Sequence, residues 1–400
     1  MKIVQINAVY HFSSTGRTTE DMHLFLQKEG MDSYVFCINA DKPEAGIFRM
    51  GNRLDHKAHA FLSRFTGLRA YFSKPATRKL VRHLDKIHPD VVVLRNLHTN
   101  FIHLPMIMTY LAKNNIKTIW VLHDCWAYTG GCTHYTVRHC FRWQTECCDC
   151  PWKGGDASWF FDMSRKVFAE RKKYFGAIKN LTVVGVSDWV TNEARKSFLI
   201  NNARNILRIY NWINLDVFYP RETEELKKKH GLSEKEFLIL GVAQIWSENK
   251  GLSLFLEMAR TFSQAKVIMV GTINAALPKN VIHVNAIDNT DLMAQYYSLA
   301  DVFVNFSQQE TFGKVAAEAL ACGTPVIANN NTAQPEVVGD CGYLITNNSK
   351  EECFASIRKI MEQGKNSYSK KCVERARALF AKDDRLNDYL NLFKQILEQN

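Results

Sequence analysis

Several features are missing from this 400-residue sequence, and each absence excludes a class of protein. No apolar run reaches the roughly 18 residues that a membrane-spanning helix needs. The first ten residues lack the apolar stretch and cleavage site of a secretion signal, and instead predict a β-strand. Glycine and proline number only 20 and 9, which excludes collagen-like and low-complexity chains. We therefore expect a globular protein in the cytoplasm.

The net charge and the cysteine content indicate the kind of partner and the state of the thiols. The 51 basic and 40 acidic residues give a net charge of +11, which predicts acidic partners such as phosphates, nucleic acid or anionic lipid. Eleven cysteines are an odd number, so they cannot all pair within one chain. Disulfides are rare in the cytoplasm, where thiols or metal ligands are the expected states.

Short runs rich in Val and Ile alternate with helical patterns, which indicates βαβ units with buried parallel strands. In the first half, strands are predicted at 2–10, 33–39, 90–97, 117–123 and 181–186, and helices at 17–29, 74–87, 104–113 and 158–175. In the second half, strands are predicted at 236–243, 266–271, 281–285, 302–306 and 325–328, and helices at 252–262, 291–298, 314–321 and 350–363.

The repeat of this pattern predicts two α/β domains, both Rossmann-like and doubly wound. A charged run at 221–230, interpreted as a solvated helix, lies near the border. We predict an N-terminal domain at 1–215, a C-terminal domain at 216–383 and an amphipathic helix at 384–400 that packs back on the N-terminal domain. Ligands of such sheets bind at the carboxyl ends of the strands, so an interdomain cleft between two facing domains is the expected site.

The most informative segment runs from Asn305 to Pro325. A strand is followed by a loop with Glu310 and Gly313, and then by a helix of small residues that carries Glu318. The free amide groups and dipole at the start of this helix attract a phosphate. Two carboxylates eight helical residues apart are separated by about 12 Å, more than the 5–9.5 Å or so of a hydrolase pair. The alternative is a pair of ordinary glutamates at a helix start.

This segment resembles the E-x7-E motif of retaining family 4 glycosyltransferases, which have the GT-B fold, and the resemblance covers nearly the whole chain. It implies that Glu310 contacts the transferred sugar and that Glu318 holds the nucleotide ribose. It also implies that the backbone of Thr311, Phe312, Gly313 and Lys314 meets sugar and diphosphate.

The segment 241–252 resembles the strand and loop in which the family binds the donor diphosphate with an Arg and a Lys. Lys250 matches the Lys, whereas Gln244 stands where the Arg is expected and leaves one cation fewer. Without the resemblance, Lys250 would be interpreted as an ordinary surface lysine. A second departure lies at 331–336, where many members have paired glycines before Pro-Glu.

Two places in the N-terminal half complete the expected donor site. Gly16 lies in a Ser-Ser-Thr-Gly-Arg turn after the first strand, where backbone amides can meet a phosphate or sugar. This turn resembles a form found in capsule and exopolysaccharide transferases. His123, followed by Asp124, ends an apolar strand; the resemblance implies that His123 contacts the donor sugar. The alternatives are a plain turn and a helix-capping pair.

A cysteine cluster follows this strand. The thiolates of Cys132, Cys140, Cys147 and Cys150 could hold a structural zinc ion, although the first gap is irregular. The alternative is a group of reduced, partly buried thiols. Aromatic residues in the same loop could stack on sugar rings or pack the loop.

Residues 53–86 form a basic, aromatic stretch in which only Asp55 and Asp85 are acidic. Such stretches bind anionic membrane interfaces, and we predict a peripheral contact with the inner face of the membrane. The alternative is a solvated helical face. The membrane interpretation agrees with the lipid-linked sugars that these transferases often use as acceptors.

Together these features predict transfer of a sugar, with retention, from a nucleoside diphosphate sugar to a glycan or lipid-linked saccharide in cell-surface polysaccharide synthesis. The resemblance implies that catalysis requires no metal or other cofactor. One alternative is a sugar-nucleotide epimerase of the same fold, which needs no acceptor. Another is a nucleic-acid-binding protein, but no nucleic-acid-recognition motif is present, so no nucleic acid partner is expected.

Overall fold

The computed structural model describes residues 1–40, 45–152 and 160–399. The chain divides into two compact units. One consists of Met1–Ile209 with Leu386–Asn400, and the other of Tyr210–Arg385. The borders predicted at residues 215 and 383 lie close to these divisions.

The described residues of the first unit form a seven-stranded parallel sheet in the order β3-β2-β1-β4-β5-β6-β7. Its strands are β1 (Lys2–Ile6), β2 (Asp32–Cys37), β3 (Ile47–Arg49), β4 (Val91–Leu94), β5 (Lys117–Leu122), β6 (Leu181–Gly185) and β7 (Asn205–Arg208). The strands β4 and β6 are buried along their whole length because helices cover both faces of the sheet. The short strands β3 and β7 at the edges are missing from the prediction.

Helices connect these strands, and their bounds follow the apolar periodicity of the sequence. They are α1 (Ser13–Lys28), α2 (Arg53–Thr66), α3 (Lys74–Ile87), α4 (Leu104–Lys113), α5 (Ser164–Ala177), α6 (Asp188–Arg195) and α7 (Leu199–Asn202). The predictions for α3 and α4 are confirmed to the residue. The predicted helix at 158–175 begins at Ser164, and its first two residues lie outside the described part of the chain. Between β5 and α5, the described residues form only short 3₁₀ turns.

The second unit contains, among its described residues, a six-stranded parallel sheet in the order β10-β9-β8-β11-β12-β13. The strands are β8 (Leu238–Ile245), β9 (Lys266–Thr272), β10 (Val281–Val284), β11 (Val302–Asn305), β12 (Val326–Asn329) and β13 (Gly342–Ile345). Its helices are α8 (Glu224–His230), α9 (Leu252–Thr261), α10 (Thr290–Leu299), α11 (Lys314–Ala321), α12 (Gln334–Val338), α13 (Lys350–Gln363) and α14 (Asn366–Phe380). The last helix, α15 (Lys382–Glu398), begins in the second unit and belongs to the first unit from Leu386 onward.

The last helix, α15, buries Leu386, Tyr389, Leu390 and Phe393 of its predicted apolar face, whereas Leu397 on the same face is half-buried. The Lys117 ammonium group, at the start of β5, donates hydrogen bonds to the backbone carbonyl groups of Leu397 and Gln399 at 2.9 and 3.3 Å. These contacts fix the end of α15 in the first unit. Among the described helices, none has both the length and the apolar character required to cross a bilayer.

Helix starts differ in a way that matters for the site. Asn52, Ser187, Asn289 and Ser349 cap α2, α6, α10 and α13 with side chains that accept from the backbone amide three residues on. The helices α1, α9 and α11 have no such side-chain cap. Their first amide groups therefore donate no hydrogen bond to a cap side chain.

Candidate functional site

The order of strands reverses between β8 and β11 in the sheet of the second unit. The chain runs from β8 outward through β9 to β10, then returns to β11 on the other side of β8. Such a switch point leaves a crevice between two diverging loops at the carboxyl ends of the strands. The loop after β8 carries Lys250, and the loop after β11 carries Glu310 and Gly313.

Lys250 joins these two loops. Its ammonium group donates hydrogen bonds to the Ser307 hydroxyl at 3.1 Å and to the Glu310 carboxylate at 2.9 Å. The Lys250 side chain is 41% exposed and that of Glu310 is 22% exposed. A cation and a carboxylate predicted from separate motifs are thus adjacent, and both reach solvent.

The close approach of the loops depends on a glycine. Gly251 has φ of 74°, and a Cβ added there would lie 2.3 Å from Cβ of Phe306, the residue that follows β11. No other residue fits this space, because real Cβ contacts are never that short and the backbone is left-handed. Gly251 thereby positions the preceding Lys250 next to the β11 loop.

The amino end of α11 lies at the same switch point. Its cap residue is Gly313, with φ of 91° and no side chain to accept from the first amides. The preceding Phe312 is buried against Tyr210 and Phe380, with ring centroids 6.2 and 5.2 Å away. This packing fixes the loop from Thr311 to Lys314, and the helix dipole and amides at its end attract an anion.

Two buried amides at this place were not recognised in the sequence as site residues. The Gln334 side chain is fully buried, and neither its nitrogen nor its oxygen has a hydrogen-bond partner. It lies against Gly313, where an added Cβ would be 3.1 Å from its oxygen. The Asn305 amide nitrogen, at the end of β11, also has no partner. Buried amides without partners are costly and indicate polar groups kept for a ligand.

Glu318 lies in the second turn of α11 and is buried. Its Oε2 accepts a hydrogen bond from the Tyr297 hydroxyl at 3.1 Å. Burial and the neighbouring Glu318 raise the pKa of Tyr297 well above its usual value, so the phenol remains a donor. Gln244, the residue at the expected Arg position, is exposed near the end of β8.

The first unit has its own switch point, between β1 and β4. Asn7 follows β1, and its amide nitrogen donates to the Val9 and Thr15 carbonyls and to the Thr19 hydroxyl. Gly16 lies inside the first turn of α1 and not in a preceding turn, because the helix begins at Ser13, four residues earlier than predicted. An added Cβ on Gly16 would press on the Tyr10 backbone at 3.3 Å.

His123 follows β5 and is 9% exposed. The Arg95 guanidinium, just after β4, lies 2.9 Å from Nε2 of His123. Arginine has only donors, so Nε2 must be the acceptor and the ring is neutral with its proton on Nδ1. Arg95 is also buried and donates to the Gln5 side chain at 3.3 Å. It is a positioning residue that the sequence did not reveal, because it continues an apolar strand.

Asp124 is paired with His98, whose Nε2 lies 2.9 Å from Oδ2 of the carboxylate. Oδ1 accepts from the Trp126 amide at 2.8 Å. Burial by itself would raise the pKa of Asp124, but His98 and the amide outweigh it and hold this pKa below its usual value. Asp124 is therefore ionised at neutral pH and orders the loop that follows β5.

The cysteine-rich loop is held by a buried cation. Arg171, from α5, donates to the Trp126 and Thr129 carbonyls, and its guanidinium lies 3.5 Å from the centre of the Trp126 ring. The Cys147 sulfur accepts from the Gly130 amide at 3.2 Å. Burial raises the pKa of Cys132 to about 11 and of Cys147 to about 12. Neighbouring cysteines add to both shifts: Cys150 and Cys140 for Cys132, and Cys132 and Cys140 for Cys147.

The four cysteines are thus neighbours, but they do not form a completed ligand shell. Within the described ranges, no three His, Cys, Asp or Glu side chains are arranged closely enough to hold a metal ion. The zinc ion therefore stays a prediction from the sequence.

Two parallel α/β sheets, each with polar side chains at its own switch point, define a protein of the two-domain GT-B class. The pattern of the family described as "Glycosyltransferase Family 4" matches residues 15–217, just over half of the chain. The pattern described as "Glycosyl transferases group 1" matches residues 222–379. The chain belongs to glycosyltransferase family 4. The predicted family and fold class are confirmed.

Individual relatives are distant. N-acetyl-alpha-D-glucosaminyl L-malate synthase of Bacillus anthracis is 29% identical over 185 residues, 42% of this chain and 47% of the relative. Alpha-monoglucosyldiacylglycerol synthase of Acholeplasma laidlawii is 23% identical over 293 residues, which are 69% of this chain and 67% of the relative. The chain spans about half the length of the first curated relatives that it matches.

A solved structure with the same fold is that of Anabaena Alr3699/HepE in complex with UDP-glucose. Its TM-score is 0.67 at 14% identity, and the superposition covers 99% of this chain and 100% of that chain. At this identity the likeness establishes the fold alone.

The unpartnered Gln334 amide gives a prediction in which stability and binding change in opposite directions. Gln334→Leu should raise the free energy of unfolding by about 1–3 kcal/mol, because it removes buried polar atoms without partners. The same variant should weaken the binding of nucleoside diphosphates. Chemical denaturation and calorimetric titration measure the two effects. The exposed Gln264 provides a control, since Gln264→Leu should change neither quantity. A Gln334→Leu protein that is less stable and binds normally would contradict this assignment.

The predicted zinc ion is tested by elemental analysis of the purified full-length protein. A zinc site would give one zinc ion per chain, and that ion would be lost in Cys147→Ala together with Cys150→Ala. Cys353→Ala, which alters a buried thiol of the second unit, should retain the metal. A folded wild-type protein without zinc, prepared without chelators, would show that the cysteines are only packed thiols.

Proposed function

We propose that this protein is a retaining glycosyltransferase that uses a nucleoside diphosphate sugar as donor. The observation that carries the proposal is the Lys250 ammonium group, which contacts Glu310 and Ser307 beside the amino end of α11, where the cap residue Gly313 has no side chain. A cation and a helix amino end at one switch point form a site for a diphosphate. A carboxylate in the same place suits sugar hydroxyls.

The chemistry follows from these charges. The bond between the anomeric carbon and the diphosphate oxygen breaks, and the acceptor oxygen takes its place; the family resemblance implies that it does so on the same face. The proton of the acceptor hydroxyl leaves with the diphosphate. Negative charge grows on the leaving group, where Lys250 and the α11 amides lower its energy. Because these donors are already fixed by Gly251 and Gly313, little reorganisation is needed when the bond breaks.

The roles of the other side chains are proposals that rest on the family resemblance. Glu310 would bind hydroxyls of the transferred sugar, and Glu318 would bind the ribose. His123 would contact the donor sugar, and the hydrogen bond from Arg95 keeps its ring neutral and its Nδ1 a donor. The family resemblance implies that no metal ion is required at the reacting carbon, and in this proposal Lys250 and backbone amides supply the positive charge.

The acceptor is proposed to be a glycan or a lipid-linked saccharide in cell-surface polysaccharide or glycolipid synthesis. The name of the Acholeplasma laidlawii relative describes synthesis of a glycosylated diacylglycerol, and UDP-glucose is bound in the Anabaena structure. A cytoplasmic protein that meets such an acceptor works at a membrane surface, and the basic stretch 53–86 is the proposed contact.

The donor assignment is tested by thermal unfolding with a panel of nucleoside diphosphate sugars. A ligand at 100 times its dissociation constant stabilises a protein by about 2.7 kcal/mol. One donor should raise the melting temperature of the wild type, and Glu318→Gln should reduce that rise because a single neutral amide oxygen replaces the carboxylate that accepts from the ribose hydroxyls. Tyr297→Phe removes the phenol that contacts Glu318 but leaves the carboxylate, so it should retain the response. An unchanged response in Glu318→Gln would refute the ribose role.

The role of Lys250 is tested by turnover. Lys250→Met should lower kcat by about 10²–10³-fold, the effect of removing one preorganised donor to developing negative charge. Lys350 is the matched control, since it pairs with Glu257 at 3.0 Å in the same unit, much as Lys250 pairs with Glu310 at 2.9 Å. Lys350→Met should retain wild-type kcat. Equal turnover in the two variants would mean that Lys250 forms only a surface ion pair.

A further inference from the structure

The helix α2 is oriented with its apolar side toward solvent. Amphipathic helices of globular proteins bury their apolar stripe and expose their polar face. In α2 the residues buried in the protein are His59 and Ser63, whereas Leu54, Phe61, Leu62 and Phe65 are exposed. Leu54, Ala58, Phe61 and Phe65 follow the spacing of one helical face, and Ala58 is exposed as well.

Hydrogen bonds from the polar side of this helix hold it to the protein. Nδ1 of His59 lies 2.7 Å from the Ser73 hydroxyl, and that hydroxyl donates to Asp55 at 2.9 Å. Nε2 of His56 lies 2.8 Å from the Met50 carbonyl. Burial lowers the pKa of His59 to about 4, with His56 and His103 adding to the effect, so this contact is neutral.

The apolar side of α2 continues onto a second segment. Phe65 packs against Phe160 and Phe161, with ring centroids 5.2 and 5.9 Å away, and stacks on Phe61 at 6.3 Å. We call these side chains the α2 patch; their exposed fractions are 77% for Leu54, 58% for Phe61, 37% for Leu62, 42% for Phe65, 57% for Phe160 and 52% for Phe161. A contiguous exposed patch of large apolar side chains marks an interaction surface.

The charges around the patch favour a lipid surface over a protein partner. Arg53, Lys57 and Arg64 are exposed on α2 beside the apolar stripe, whereas the only acid of the helix, Asp55, accepts from Ser73. The next helix adds exposed Lys74, Arg78, Lys79, Arg82 and Lys86. Helices that lie in the interface of anionic membranes have this composition, with Phe and Leu on one side and Lys and Arg beside them.

We propose that the α2 patch inserts into the interface of an anionic bilayer, with its phenylalanines among the acyl chains and the neighbouring cations on lipid phosphates. This inference deepens the membrane contact of the proposed function: it assigns binding to apolar insertion by six side chains and not to charge alone. Because the hydrogen-bonded polar face stays on the protein, α2 lies flat on the membrane without leaving its unit.

The test is flotation of the full-length protein with vesicles. Binding is measured with phosphatidylcholine vesicles and with vesicles that also contain phosphatidylglycerol. We expect binding to the anionic vesicles and a residual fraction bound at high salt, because apolar insertion is not screened. Phe61→Ser combined with Phe65→Ser should weaken vesicle binding at least about tenfold, because the exposed phenylalanine surface that would be buried in the lipid is removed. Leu24→Ser combined with Ile200→Ser, which alters equally exposed side chains elsewhere in the unit, should bind normally.

Three outcomes would overturn the inference. One is the absence of vesicle binding by the wild type. Another is binding that disappears in salt and is unaffected by the phenylalanine substitutions, which would mean adsorption by charge. The third is a patch that instead buries itself between two copies of the chain, seen as a dimer in sedimentation that the same substitutions dissociate.

The donor response in thermal unfolding separates this inference from the proposed function. The phenylalanine variant should respond to the donor sugar like the wild type, which also shows that it is folded. A normal donor response without vesicle binding overturns the insertion alone. If the protein binds vesicles through the α2 patch but responds to no nucleotide sugar, the insertion is supported and the proposed use of a nucleotide sugar donor is refuted.

Discussion

The hydrogen bonds of Lys250 to Ser307 and Glu310 are the contact on which the candidate site depends, because they connect the loops after β8 and β11 across the switch point. The contact in turn needs Gly251, since any larger residue would collide with Phe306. Glu310 neutralises Lys250 in this contact. In the proposed function, binding of the donor would exchange one anion for another beside Lys250 and would leave the Glu310 carboxylate to sugar hydroxyls.

The same site keeps polar groups that the fold itself does not satisfy. The Gln334 amide and the Asn305 amide nitrogen are buried at the carboxyl ends of β11 and β12 without partners, and the first amides of α11 have no capping side chain. A protein selected for stability alone would fill these positions with apolar residues and a capping Ser or Asp. Their retention is explained when a polar ligand completes the hydrogen bonds, which makes the site preorganised at some expense of stability.

Much of this arrangement follows from the sequence. Gly313, Gly323 and Pro325 delimit α11, and its predicted bounds are confirmed to the residue, because start and stop signals are local. The edge strands β3 and β13 span only three and four residues, too few to set an apolar pattern, and they form because a neighbouring strand pairs with them. Arg95 and Gln334 escaped recognition for a related reason: their roles depend on His123 and Gly313, which lie far away in the chain.

The helix α2 shows the limit of amphipathic patterns most clearly. A sequence reveals that a helix has an apolar and a polar side, but the side that faces the protein depends on partners elsewhere in the chain. In α2, His59 contacts the Ser73 hydroxyl and His56 contacts the Met50 carbonyl. The polar side of the helix therefore faces the protein, and the apolar side faces solvent. An outward apolar face is unfavourable in water, and this cost disappears only when another apolar phase covers it. The cations along α2 and α3 make an anionic lipid surface the phase that matches both its chemistry and its charge.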